Sequence, residues 1–430
     1  MIASILVDVS ARQVDKTFDY RVPAHFEEVI EIGQRVSVPF GYRFIIGYVL
    51  EIKEESDVDS LKDIVDVIDI IPSLTPELIA LGKILSISNT SPLVSIYHAM
   101  LPRALKGKYT KKLIVENVGL LPLDLSLKFN RYKEAKLDDT MKPYLNEIKK
   151  QIAADNIEVV HEISQANKVR YIKKLILVDE TIPVRGKKQQ DVLDYMIEHK
   201  EAYKKNLLAE TGSSSPTIKS LIAKGIIEEK RVEIYREIET LYGDVDKDII
   251  LNQEQQDVYD QLKKSLHNNE TFLLHGITGS GKTEIYLNII EDVIKEKKDA
   301  IMLVPEISLT PMMVSRFRGR FGDNVALLHS GLSIGERYDE WRKIRRKEVQ
   351  VCVGARSAIF APFENLGVII IDEEHTESYK QETNPRYHAK DVALERSKRY
   401  SIPLILGSAT PAVESYYNAQ QGVYTLLEMK

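Results

Sequence analysis

The chain has 430 residues, 43% apolar and 29% charged, a length that favours two to four domains and a composition that can fill several cores. Its net charge of -5 advertises no global basic field for nucleic acid, although a mosaic of basic and acidic patches gives the same sum. One cysteine, Cys352, excludes a disulfide framework or a Cys-rich zinc cluster within these residues, and no stretch approaches the ~20 apolar residues that span a bilayer. The opening MIASILVDVS lacks the regions of a signal peptide, so a cytoplasmic protein with no membrane contact is expected.

Residues 1–105 read mostly as short strands. RVSVPFG (35–41) alternates apolar and polar residues, FIIGYVLEI (44–52) is β-branched, and 41–43 turn between them, which together predict a β-rich domain. LPRALKGKYTKK (101–112) reads as a basic linker. Residues 113–240 are more helical and charged. QQDVLDYMIEHK and YKKNLLAETG predict two helices, the second ending at Gly212. SSSPTIKSLIAKG predicts a third, with a serine cap, Pro216 in the first turn, a stripe of Ile218, Leu221 and Ile222, and a stop at Gly225. Two short strands are expected in IIEEKRVEIYRE. Three helices and a β-wing form a winged-helix pattern, whose third helix either reads DNA or packs on protein.

From residue 250 strands and helices alternate. Short continuous apolar runs at 271–276, 300–304, 349–353, 367–372 and 403–409 predict parallel strands buried on both faces, an α/β lobe. The fold class expected is multidomain α/β: a β-rich N-terminal domain (1–105), a winged-helix domain (113–240) and a RecA-like parallel α/β lobe (250–430).

The chemistry concentrates in that lobe. GITGSGKT, spanning Gly276, Ile277, Thr278, Gly279, Ser280, Gly281, Lys282 and Thr283, fits G-x-x-x-x-G-K-[ST] between a strand and a helix. Glycines there let backbone N–H groups curl around a phosphate at a helix N-terminus; Lys282 would reach the β- and γ-phosphates, and Thr283 would hold Mg²⁺. VIIIDEEH (368–375) ends a buried strand in carboxylates. Asp372 suits the metal, and Glu373 suits the attacking water. RKIRRK (342–347) reads as a solvated helix face.

DEEH, the phosphate loop, VPEISLTP (304–311), GARSAIFAPF (354–363) and GSATP (407–411) stand in the order of superfamily 2 helicases. With LNQEQ ahead of the loop, HSGLSIGER (329–337), DEEHTESYKQE and RYHAKD (386–391), the chain resembles the PriA family of replication-restart helicases, also called primosomal protein N′. TFDY (17–20) and RVSVPFG fit that family's DNA 3′-end-binding domain; residues 113–240 match only weakly. The resemblance implies an ATP- and Mg²⁺-dependent 3′-to-5′ DNA helicase at stalled forks that assembles the primosome, with single-stranded and forked DNA and replication-restart proteins as partners. It implies that Gln255 meets adenine, that His375, Ser408 and Thr410 couple the nucleotide site to movement, and that Thr310, Arg356 and Ser357 line a single-strand path. Tyr379, Tyr387 and His388 would stack on bases and Lys390 would meet phosphate; Phe18, Asp19, Gly41 and Lys62 would form the 3′-end pocket. It further implies a second motor lobe, a zinc module and a C-terminal domain after residue 430, so that these residues alone would bind DNA and hydrolyse ATP very slowly. A fork-binding scaffold, a DNA translocase without strand separation and an NTPase acting on no nucleic acid are the rival readings.

Overall fold

The first sheet is built from β1 (Ile2–Val7), β2 (Thr17–Arg21), β3 (Arg35–Phe40), β4 (Arg43–Lys53), β5 (Lys62–Asp63) and β6 (Asp66–Val67), in the order β5-β2-β1-β4-β3-β6, with β1 buried along nearly its whole length. The computed structural model describes all residues except 42, 70, 107–108, 155, 164–169, 235–249, 306–310 and 430. β3 and β4 form a tight antiparallel hairpin with Phe40 opposite Arg43, and Gly41 turns it at φ +59°, where a side chain would be strained.

This domain is not only strands. α1 (Pro76–Ser88) starts where the Thr75 hydroxyl accepts from Leu78 N and Pro76 opens the first turn, and α2 (Leu93–Met100) follows it. The tyrosine ring of Tyr97 fits against Gly82, whose missing Cβ would sit 2.4 Å from it. The expected linker is also corrected: Leu101, Ala104 and Leu105 are buried, and the Leu105 carbonyl accepts from the buried Arg35 guanidinium, itself paired with Asp69.

Residues Lys108–Glu237 form a compact unit of their own. It carries β7 (Tyr109–Val115), α3 (Leu123–Ser126), β8 (Glu134–Leu137), α4 (Leu145–Ala153) and β9 (Ile157–Ile163), with β7 between the other two strands, both antiparallel to it. Next come β10 (Arg170–Leu177), α5 (Lys187–His199), β11 (Glu201–Tyr203), α6 (Lys204–Thr211), α7 (Ser215–Ala223) and β12 (Ile227–Ile234). Gly212 ends α6 in the left-handed region and Pro sits in the first turn of α7. Ile218 and Leu221 pack with Val192, Met196, Leu207 and Leu175 in one core. The expected two-stranded wing is corrected: β12 is one strand of eight residues, and it pairs along its length with β10, which precedes the helices.

The rest joins Met1–Gly107 in a second compact unit, through Ile238–Lys430. α8 (Gln253–Lys264) leads into β13 (Thr271–Gly276), α9 (Lys282–Lys295), β14 (Asp299–Leu303), α10 (Pro311–Phe321), β15 (Val325–Leu328), α11 (Ile334–Arg345), β16 (Val351–Gly354), β17 (Leu366–Ile371), α12 (Ala389–Tyr400), β18 (Leu404–Ser408), α13 (Val413–Gln420) and β19 (Thr425–Met429). The seven strands pair in parallel in the order β15-β16-β14-β17-β18-β13-β19. Their apolar runs are buried against helices, as parallel sheets require. β15 and β19 are additions to the expected strands.

Side-chain hydrogen bonds among the described residues tie the N-terminal domain to this lobe. The buried Arg396 of α12 is held by both Glu77 oxygens of α1, at 3.2 and 3.0 Å, and it donates to the carbonyls of Ile359 and Ala361. Arg345 donates to the Pro72 carbonyl. The basic run 342–347 is therefore not a solvated face: Arg342 is buried, paired with Asp339 and stacked over Tyr338.

Candidate nucleotide and nucleic-acid sites

β13 ends at Gly276 and α9 begins at Lys282, so the intervening turn lies at the carboxyl edge of the sheet. Gly279 and Gly281 take φ of +83° and +88°, and no side chain caps α9, which leaves its first N–H groups to an anion. Lys282 is buried and crosses the turn, donating to the carbonyls of Gly276 at 2.6 Å and Ile277 at 3.2 Å. Ile277, Thr278 and Gly279 are exposed. Ser280 Oγ is buried with no partner among the described residues, an orphaned hydroxyl inside a turn of this shape.

Gln255 stands behind the turn rather than open to a base. Its Oε1 accepts from Asn252 N, completing a capping box on α8, while its Nε2 donates to the Ser280 carbonyl at 2.9 Å.

The acids sit across β18 from the turn. Asp372 N donates to the Leu303 carbonyl as β17 leaves the sheet, and the Tyr286 hydroxyl of α9 reaches Asp372 Oδ1 at 3.2 Å. Burial first, and then the adjacent Glu373 charge, push the Asp372 carboxyl up to about 6, while the Tyr286 hydroxyl and the Lys282 ammonium pull it back. Glu373 takes φ +47°. His375 Nδ1 lies 2.7 Å from Ser408 Oγ at the end of β18 and 3.6 Å from Glu373, and Ser408 Oγ accepts from Thr410 N. His375, Ser408 and Thr410 thus form one hydrogen-bonded group beside the acids.

The segment after DEEH departs from expectation. Tyr379 is buried with its hydroxyl donating to the Asp372 carbonyl at 2.6 Å. Tyr387 is buried edge-on against Phe360, with the Arg356 guanidinium 5.9 Å from its ring. Neither ring has a face to offer a base. His388 is half-buried and caps α12, its Nδ1 accepting from Lys390 N, and burial lowers its basicity. Lys390, expected on phosphate, instead puts its ammonium 3.3 Å from Glu374 and 3.0 Å from Ser415. Glu374 is fully buried and also accepts from Ala412 N and Ser415 Oγ. Arg356 donates to the carbonyls of Ser378 and Lys380, and Ser357 is exposed. Thr310 lies outside the described residues.

In the first sheet Phe18, Asp19, Gly41 and Lys62 line one pocket of about 560 Å³. Lys62 reaches it because β5 pairs with β2 at Tyr20. Phe18 lies edge-on to Phe40, with Lys16 Nζ 5.5 Å from its ring. Asp19 is held by Ser4 Oγ at 2.7 Å, Ser56 Oγ at 2.5 Å and Lys53 Nζ at 2.8 Å. Burial alone would raise its carboxyl, but the bonds from Lys53, Ser56 and Ser4 outweigh this and hold it below the usual range.

Sequence reasoning missed Lys53 and Lys16 in this pocket, and Tyr286 and Glu374 in the lobe. Only Glu374 left a signal, as the third acid of DEEH. Lys53 meets Asp19 through a register in which Ser4 of β1 opposes both Asp19 and Glu51, which no spacing along the chain reveals.

Comparison with known proteins agrees with the two halves of this description. Residues 4–102 match the 3'DNA-binding domain (3'BD) family of PriA, and residues 248–413 match the type III restriction enzyme, res subunit family. The replication restart protein PriA of Bacillus subtilis (strain 168) is 47% identical over 100% of this chain and 55% of its own length. That of Haemophilus influenzae is 34% identical over 95% of this chain and 49% of its own. The solved structure of RecG bound to a three-way DNA junction is similar with a TM-score of 0.33 and 22% identity, over 43% of this chain and 24% of that one. The chain spans about half the length of the curated relatives it matches. It belongs to the family of the replication restart protein PriA.

Proposed function

We propose that residues 250–430 are the first motor lobe of an ATP-dependent DNA helicase acting 3′ to 5′ at stalled replication forks, and that the N-terminal pocket holds a DNA 3′ end. The observation that carries the motor reading is the Tyr286 hydroxyl on Asp372, which ties the phosphate-loop helix to the acids. The residues fit ATP–Mg²⁺: uncapped N–H groups at α9, two glycines at positive φ, the orphaned Ser280 hydroxyl, and Asp372 within the electrostatic reach of Lys282. Bound Mg²⁺ would neutralise charge on the phosphate oxygens, held by Thr283 and Asp372. Lys282 would exchange the carbonyls of Gly276 and Ile277 for phosphate, and Glu373 would orient water. His375, Ser408 and Thr410 would transmit the state of that edge to α13. The Asp372–Tyr379 bond would do the same for the 376–390 segment.

At the 3′-end pocket, the Phe18 and Phe40 rings can support a terminal base, and Asp19 can accept from a 3′ hydroxyl while Lys53 holds it ionised. Arg356 and Ser357 would meet the strand's phosphates. Residues 170–234, three helices on a three-stranded antiparallel sheet, are a winged-helix module in this reading. The setting is cytoplasmic, and primosome proteins are the partners. Among the described residues no helix is long and apolar enough to cross a membrane.

Equilibrium binding of ATP with Mg²⁺ tests the first claim: the parent chain should bind, and Lys282→Ala should lose most of that affinity. Equal binding would remove the motor reading. Oligonucleotides with a free or phosphorylated 3′ end test the second, and equal affinity would remove the pocket assignment. Strand displacement by the full-length protein separates a helicase from a translocase, and unchanged restart activity with Lys282→Ala and Glu373→Gln would make it a scaffold.

A further inference from the structure

Tyr286 stands one turn after Lys282 on α9, and its side chain is fully buried in the apolar core of the lobe. Its hydroxyl donates to Asp372 Oδ1 at 3.2 Å. The main chain of Asp372 is pinned on both sides as well: its N–H donates to the Leu303 carbonyl at 2.9 Å, and its carbonyl accepts from the Tyr379 hydroxyl at 2.6 Å. Attachments from β14, α9 and the short helix Glu377–Tyr379 therefore hold this one acid at three points. Of the three, Tyr286 alone reaches the carboxylate.

Gly407 makes room for it. In the parallel sheet Leu274 pairs with Gly407 and Ile371 with Leu406, so Gly407 lies between the strand that enters the turn 276–283 and the strand that ends at the acids. A Cβ at Gly407 would overlap the Tyr286 hydroxyl, and it would lie 2.9 Å from the Tyr286 Cζ and 3.5 Å from Asp372 Oδ1. Gly407 is strand backbone and takes no positive φ, so what glycine supplies here is space rather than conformational freedom. Its carbonyl also accepts from Glu374 N at 3.0 Å, which ties the same residue to the acidic segment. Glycine inside a strand weakens it, and here that cost coincides with the gap through which an α9 side chain meets the acid.

We propose that Tyr286 is a positioning residue of the nucleotide site, reaching past Gly407 to fix the Asp372 carboxylate in the orientation that a divalent cation requires. The proposal rests on the motor reading given above and deepens it. Tyr286 itself meets neither nucleotide nor cation; it acts through Asp372, as residues that orient a metal ligand do. The consequence is that α9 builds both sides of the site: its N-terminus the phosphate side, through uncapped N–H groups, and its second turn the cation side. GSATP contributes at Gly407 as well as at Ser408 and Thr410.

Binding of ATP by the 430-residue chain, with Mg²⁺ and in EDTA, tests it. Mg²⁺ should tighten binding by the parent. Tyr286→Phe keeps the buried ring and removes only the hydroxyl. It should reduce that tightening about tenfold, the effect typical of losing a ligand's orienting partner, while its affinity in EDTA stays within about twofold of the parent's. A merely structural role moves the two measurements together. Tightening within twofold of the parent's, or an equal loss in both conditions, would overturn the proposal, as would a parent that Mg²⁺ does not tighten. Gly407→Ala should lose at least as much of the tightening, because the phenol has to leave its place. Adding Tyr286→Phe to it removes the overlapping atom and leaves a contact that a small shift relieves. The double variant should therefore resemble Tyr286→Phe alone rather than show the product of both losses. A full product would overturn the role given to Gly407. Should Gly407→Ala fail to fold by far-ultraviolet circular dichroism, the Tyr286→Phe comparison carries the test alone. Failure of the motor reading is a different result, equal ATP binding by the parent and Lys282→Ala in both conditions, and it removes the site that Tyr286 would serve.

Discussion

Two segments meet at the carboxyl edge of the seven-stranded sheet. The turn 276–283 faces outward: Ile277, Thr278 and Gly279 are exposed, Gly279 and Gly281 take positive φ, and the first N–H groups of α9 have no side-chain cap. The segment 372–390 faces inward: Tyr379 bonds to the Asp372 carbonyl, Tyr387 packs on Phe360, and Lys390 pairs with the fully buried Glu374. The first segment is built to receive a ligand. The second is built as a strut between that site and α12 and α13. A polar or aromatic residue at this edge can therefore act on the site without entering it, by fixing the backbone that carries the acids.

The largest effects should come from the outward turn. Under the proposed motor reading, Lys282→Ala in the full-length protein should lower DNA-stimulated ATP hydrolysis by about 10³-fold, measured as steady-state phosphate release, with the fold intact. A residual rate within tenfold of the parent would mean that the turn is not the phosphate site. The inward segment should answer in stability instead. Lys390→Ala strands the fully buried Glu374 carboxylate and should cost about 3 kcal/mol in urea unfolding of the 430-residue chain, whereas Glu374→Gln with Lys390→Met should recover most of it. If the single and double variants unfold alike, the strut is not held by this pair.

This contrast also explains which features could be read from the sequence. The turn, the five strands expected around it and the DEEH acids depend on residues adjacent in the chain to a buried strand, so spacing alone locates them. The exposure of Tyr379, Tyr387 and Lys390 depends on what packs over them. Phe360 and Ser415 arrive from other elements and Glu374 from the far end of the same segment, and the local pattern is equally compatible with a solvent-facing loop. The same holds for β12, whose pairing partner β10 lies on the far side of three helices, and for Leu101–Leu105, whose basic neighbours masked a buried apolar stretch. β15 and β19, no shorter than the expected β16 and β14, are the two edge strands of the sheet.

A smaller change sharpens the strut. Tyr379→Phe keeps the buried ring and removes only the bond to the Asp372 carbonyl, so it should cost about 1 kcal/mol in unfolding. If the strut positions the acid, kcat in the full-length enzyme should also fall several-fold with KM for ATP little changed. A loss of stability with unaltered kcat would reduce Tyr379 to packing.

The smallest effect belongs to the opposite end of the sheet and serves as the control. Asp299 opens β14 and, like Asp372, is an acid raised by burial, here to about 7; the Asn365 N–H and the Lys347 charge only partly offset that burial. Asp299 has neither the Tyr286 hydroxyl nor the turn 276–283 beside it. Because its folded value lies above its unfolded value near 3.8, the folded chain binds more protons than the unfolded chain between about pH 4 and 7. Stability from this group is therefore present at low pH and is lost as pH rises through that window. Asp299→Asn should remove the loss and raise stability at pH 8 by on the order of 1 kcal/mol, discounted for its partial exposure, while leaving it nearly unchanged at pH 4. ATP affinity should not move. Denaturant midpoints at the two pH values decide it: an equal shift at both would mean that Asp299 is ionised throughout, and that burial at this edge perturbs carboxylates less than it does beside the phosphate turn.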